Sequence, residues 1–205
     1  MKHFNILLTG ILCITTLNDI SAQNGLSGKN SSKNMFAKGA KTWAAYIEYY
    51  DSQDSDRDIS IVQLNAETGF NLFRGFSING NAYLMLTSGQ RTLEDSIPVI
   101  KQKADVFGAG FLGFLRWDVL RIQSHSLFVD AGAGMVFTNN AFPPGGTVWN
   151  FTQRYSLGLA IGLNENAKVL LGWRHIHISN GKGFGHPKNP AYDGNGPYLG
   201  LRFRI

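Results

Sequence analysis

His177 and Ser179 stand two residues apart at the end of an alternating stretch, and Asn180 and Gly181 follow at once. Side chains of an extended chain alternate between faces, so Val169, Leu171, Trp173, His175, His177 and Ser179 share one face of it. Leu170, Gly172, Arg174, Ile176 and Ile178 share the other. A serine hydroxyl is a weak nucleophile until a base takes its proton, and histidine is the usual base. Same-face neighbours lie about 7 Å apart along a strand, a gap that a bend at the strand end closes to hydrogen-bond reach. A third group must hold the imidazole. Beyond Ser179 the only acidic residue is Asp193, and Asn195 shares its parity, so either can face His177 across a hairpin. Asn180 and the amides from Gly181 to Gly183 are candidates for an oxyanion hole, because a glycine-rich turn after a nucleophile can aim N–H groups at developing charge. The plainer alternative is a polar pair near a strand end followed by an ordinary turn.

These residues need a frame, and the chain supplies about eight segments of the same alternating kind. They lie near residues 41–50, 59–70, 76–87, 106–118, 127–137, 149–163, 169–179 and 197–205, with turn-rich or polar stretches between them. One face of nearly every segment is apolar or aromatic. The other carries Glu48, Glu67, Arg116, Asp130, Arg154, Arg174 and Arg202 among small residues and glycines. A membrane barrel turns the apolar face outward and packs small and polar groups inside, and with eight strands the lumen holds only side chains. The fold predicted is therefore all-β, an eight-stranded antiparallel up-and-down transmembrane barrel of the outer-membrane type, over residues 41–205. Paired acids and arginines should fill its interior. Trp43, Tyr49, Trp117, Trp149, Tyr155 and Trp173 resemble interfacial girdles.

Connections alternate in length, with shorter turns at 72–75, 119–125 and 164–167 and longer ones at 51–58, 88–105, 138–147 and 179–196. Long loops of such barrels face the outside of the cell, which puts the His/Ser pair at the outer-leaflet end. If the face bearing Leu171 and Trp173 meets lipid, His177 and Ser179 meet the membrane interface, where polar pairs are costly and tend to be functional. A substrate reaching them there is a lipid.

Composition narrows the remaining classes. Met1-Lys2-His3, an apolar run over 4–17 and Ile20-Ser21-Ala22 have the layout of an export signal over residues 1–22, followed by a Gly/Ser/Asn/Lys-rich lead over 23–40. Cys13 is the only cysteine and lies in that apolar run, so the mature chain is expected to carry neither a disulfide nor thiol chemistry. The formal charge of +5 suits an anionic surface, but no Lys/Arg stripe interleaved with aromatics points to nucleic acid. The glycines Gly108, Gly110 and Gly113 match GxGxxG without a following helix, so a nucleotide site is not expected. Neither a metal nor another cofactor is expected, since His175, His177, His186 and Asp193 follow no strong zinc spacing.

His177-Ile-Ser179-Asn180-Gly181, then Asn189-Pro190 and a glycine-containing run into a short last strand, resemble the lipid A 3-O-deacylase (PagL-like) family of outer-membrane barrels. The match is tight over roughly the last forty residues. The resemblance implies an outer-membrane esterase that removes the 3-O-linked acyl chain of lipid A in lipopolysaccharide, with Ser179 as nucleophile, His177 as base and Asn180 and Gly181 at the oxyanion. Trp173, Lys182 and Lys188 become candidate substrate contacts, the lysines for lipid A phosphates. The family's glutamate, counted back from the terminal strand, falls near Asn195, with Asp193 two residues earlier. The alternatives are a non-catalytic outer-membrane barrel serving adhesion or envelope integrity, and a soluble ligand-binding barrel.

Overall fold

The computed structural model describes residues 38–73, 75–93, 100–181 and 190–205. The stretches expected as export signal and most of the lead lie outside the described residues, as do Lys182 and Lys188. Among the described residues, nine strands form one antiparallel sheet: β1 (Lys41–Ser52), β2 (Arg57–Phe73), β3 (Phe76–Leu93), β4 (Ile100–Lys103), β5 (Val106–Ile122), β6 (His125–Phe142), β7 (Thr147–Gly162), β8 (Ala167–Ser179) and β9 (Tyr192–Arg204). Eight of them close a ring, each pairing with its ring neighbour, and β1 meets both β2 and β9. Closure pairs the ladder groups of every ring strand, which is the condition for crossing a bilayer with strands. The ninth, β4, pairs only with the far end of β3, Gln90 to Leu93, and extends that hairpin beyond the ring.

Alternation decides which side chains go where. Leu64, Leu84, Phe111, Leu157 and Leu199 point outward and are roughly half exposed. A contiguous apolar belt of this size does not stay in water, and a bilayer is its natural cover. Trp43 stacks on Phe203 and Phe73 on Phe76 at the short-turn end, while Trp149 meets Phe151 edge-on at the long-loop end. Trp173 departs from the girdle expectation. It falls at the middle of β8, opposite Pro197 of β9.

The lumen is filled in three tiers. Nearest the short turns, Tyr46, Phe128, Leu170 and Tyr198 pack together. At mid-height lies the expected ionic network: Arg116 bridges Glu67 (3.1 Å) and Asp130 (2.9 Å), and Arg174 bridges Asp130 (3.0 Å) and Glu48. Arg154 holds Glu48 at 2.8 Å, and Arg202 holds Glu67 at 2.9 Å. Guanidinium planes also lie over rings, Arg154 over Tyr83 at 4.2 Å and Arg116 over Phe128 at 4.4 Å. The tier at the long-loop end differs from the expected small and polar filling. There Tyr50, Ile59, Ile61, Met85, Phe142, Ile176, Ile178 and Tyr192 form a buried apolar plug. Its strands run past the membrane belt, and a segment standing in water needs an ordinary hydrophobic core.

Inward glycines make room for this filling. A Cβ on Gly158 or Gly172 would meet the Tyr198 hydroxyl at 2.0 or 2.6 Å, so the large ring of β9 crosses the lumen only because β7 and β8 carry no side chain there. The stretch from Gly108 to Gly113 likewise lies inside β5 and opens no helix.

Several connections are shorter than the sequence implies, because strands continue through polar residues. β2 begins at Arg57, β6 continues through Asn139 and Asn140 to Phe142, and β9 begins at Tyr192. Ladder hydrogen bonds do not require an apolar face, so polar turn-formers stay in register above the membrane belt.

Candidate active site

The hairpin of β8 and β9 builds the site, and its register sets the partners. His177 pairs with Asp193 and His175 with Asn195, while β7 sets Gln153 beside His177 and Tyr155 beside His175. All point away from the lumen. His177 Nδ1 lies 2.8 Å from Asp193 Oδ1 and Nε2 lies 3.0 Å from Ser179 Oγ. A carboxylate only accepts, so Nδ1 carries the proton and Nε2 offers its lone pair to the serine hydroxyl. Ser179 is buried, whereas His177 and Asp193 are each about one-third exposed. The hydroxyl is thus more enclosed than the imidazole and the carboxylate hydrogen-bonded in series with it.

Glycines on β9 explain how the strand approaches so closely. A Cβ on Gly196 would lie 1.7 Å from the Tyr49 carbonyl oxygen of β1, and one on Gly194 would meet the Tyr192 ring at 2.7 Å. Gly196, which looks like a loop former in sequence, thus lets β9 sit close against β1, and Gly194 leaves room for the Tyr192 ring of its own strand.

The other predicted residues fall as follows. Asn180 is buried directly behind Ser179. Gly181 has φ of 71°, a left-handed conformation that glycine adopts without cost, and it turns the chain sharply off the strand end. Asn195 faces His175 rather than His177, with its Oδ1 3.1 Å from His175 Nδ1. Trp173 shares the outward face two residues below His175 and is half exposed. The His175 and Asn195 pair was not singled out by the sequence, although the parity of His175 with His177 was the available signal. Next to it on β1, the Asp51 carboxylate accepts from Tyr49 (2.5 Å) and Ser60 (2.8 Å), extending a polar row along the wall. Among the described residues, no group of three or more His, Cys, Asp or Glu side chains has metal-binding geometry.

A closed ring of eight antiparallel strands, greasy outside and ionic inside, is a β-barrel of the outer-membrane type, here with a serine, histidine and carboxylate hydrogen-bonded in series on its outer wall. The solved structure of the outer membrane protein OprG from Pseudomonas aeruginosa has the same fold, with a TM-score of 0.53 at 13% identity over 84% of this chain and 99% of that one. AlkL in lipid bilayers (TM-score 0.49, 11% identity, 90% and 97% coverage) and Ail of Yersinia pestis (0.42, 14%, 82% and 100%) are also similar. No curated protein matches. The model of the lipid A 3-O-deacylase (PagL) family matches residues 61–202, and the chain belongs to that family. Membership carries lipid A deacylation with it, and with that a lipopolysaccharide substrate and an outer-membrane location.

Proposed function

We propose that the chain hydrolyses the 3-O-linked acyl ester of lipid A through a Ser179, His177 and Asp193 relay, with the site facing the outer leaflet. The observation that carries this reading is the unbroken series of hydrogen bonds from Ser179 Oγ through His177 to Asp193, at 3.0 and 2.8 Å, on the wall that meets lipid. Ser179 Oγ attacks the ester carbonyl as His177 Nε2 takes its proton. Asn180 and Gly181, directly after the nucleophile, are the proposed oxyanion donors. Collapse breaks the bond to the sugar oxygen, and His177 returns the proton to that leaving alkoxide, so an acyl-Ser179 ester remains. A water molecule, deprotonated by His177, then releases the fatty acid and restores the hydroxyl. Asp193 orients the imidazole and stabilises its positive form without taking the proton.

An export signal over residues 1–22 fits delivery to the outer membrane, and Trp173, Lys182 and Lys188 are proposed substrate contacts, the lysines toward phosphate. An acid bonded to His177 weighs against the non-catalytic alternative, which assumed that the acid was lost. Mass spectrometry of lipid A from cells expressing the wild type or Ser179→Ala tests the proposal. Wild type should release a 3-hydroxy fatty acid and leave lipid A lighter by one acyl chain, and Ser179→Ala should do neither. Equal release from both would end the esterase reading.

A further inference from the structure

The relay leaves His175 without a part, yet this residue is as carefully held as His177. Its ring stacks on Tyr155 of β7 at 6.3 Å between centroids and 21° between planes. Its Nδ1 is 3.1 Å from Asn195 Oδ1, and its Nε2 is 3.6 Å from the same Asp193 oxygen that accepts from His177. A bare Nε2 lone pair against a carboxylate would be repulsive, so that nitrogen carries a proton. The ring is then either an imidazolium, or the neutral tautomer with the Asn195 amide turned over to donate to Nδ1. In both arrangements Asp193 accepts from His177 at 2.8 Å and has the His175 N–H nitrogen 3.6 Å away, just beyond hydrogen-bond length.

We propose that His175, locked by Asn195 and Tyr155, is a positioning residue that fixes the Asp193 carboxylate for His177. This rests on the proposed relay and adds a member to it. An aspartate a third exposed on an outward wall can swing to water, and a single bond to His177 fixes only one of its directions. A second donor on the neighbouring pair of the same hairpin, drawn in from 3.6 Å to hydrogen-bond length when substrate binds, removes the remaining rotation. The other acidic group nearby, Asp51 on β1, is occupied by Tyr49 and Ser60 and does not compete for His175.

The test uses the full-length protein in detergent micelles with lipid A as substrate. His175→Phe keeps a ring against Tyr155 and removes both nitrogens. It should lower kcat roughly tenfold with KM unchanged, the worth of one hydrogen bond to a charged group. His175→Gln restores an N–H and should recover most of the loss. Asn195→Ala, which frees the ring but leaves it in place, should cost about threefold in kcat, a fraction of one such hydrogen bond. On an Asp193→Ala background, His175→Phe should cost nothing further, because a residue that acts through Asp193 has nothing left to act on. Wild-type kcat for His175→Phe, a change in KM alone, or a full additional loss without Asp193 would overturn the positioning role. If Ser179→Ala is inactive while His175→Phe matches wild type, only this inference fails; if Ser179→Ala stays active, the relay itself fails.

Discussion

Two sets of carboxylates and nitrogen bases occupy this barrel, arginines inside and histidines on its wall, and β8 carries members of both. Arg174 points into the lumen, and its neighbour His175 points out. Inside, Glu48, Glu67 and Asp130 are each shared by two arginines and are almost wholly buried. Every carboxylate there is engaged by two guanidinium groups, so the network holds strands at fixed distances and leaves no acid open to a reactant. Outside, Asp193 is bound on the side of its histidines and open on the other. The same pairing chemistry is therefore scaffold where it is closed and, in the proposed relay, machinery where one side is left free.

The sharpest way to break that comparison is Ser179→Ala. Acyl release should fall by at least ~10³-fold, as expected when a nucleophile is lost, while heat-modifiable migration on a denaturing gel stays that of the wild type. Asp193→Ala should cost on the order of 10²- to 10³-fold in kcat, again with an intact barrel, and a loss no larger than that of Asn195→Ala would remove Asp193 from the relay. The interior should answer in the opposite currency. Glu48→Ala strips a partner from both Arg154 and Arg174 and should destabilise the barrel by about 3–5 kcal/mol in urea titrations, with the kcat of the folded fraction unchanged. An equal loss of kcat would mean that the two networks are one. The smallest effect belongs to the apolar wall, where Leu157→Arg should cost about 2–4 kcal/mol when folding is measured into lipid vesicles.

The barrel was legible because period-two alternation survives in every ring strand, and because charged residues fell on one parity from Glu48 to Arg202. Strand ends were not legible. Nothing in Asn139, Asn140 or the run from Tyr192 to Gly196 marks them as extended, since ladder pairing above the membrane belt leaves no apolar signature. That gap also hid which residue faces His177 as third member of the proposed relay. Asp193 and Asn195 have the same parity, and only the hairpin register, which a one-strand reading does not contain, sets the first against His177 and the second against His175. The apolar plug escaped for a related reason. Ile59, Ile176 and Ile178 follow the inward parity, but a rule that assigns polar residues to the lumen gives them no role.

A nucleophile on the side of a barrel, as proposed for Ser179, rather than in its mouth, changes what concentration means. In the proposed arrangement ester and enzyme meet by sliding within one leaflet, in two dimensions, so turnover should follow the fraction of lipid A among its neighbours and not the amount per volume of water. Diluting the substrate with inert detergent or phospholipid at constant bulk concentration should slow the reaction as steeply as removing it.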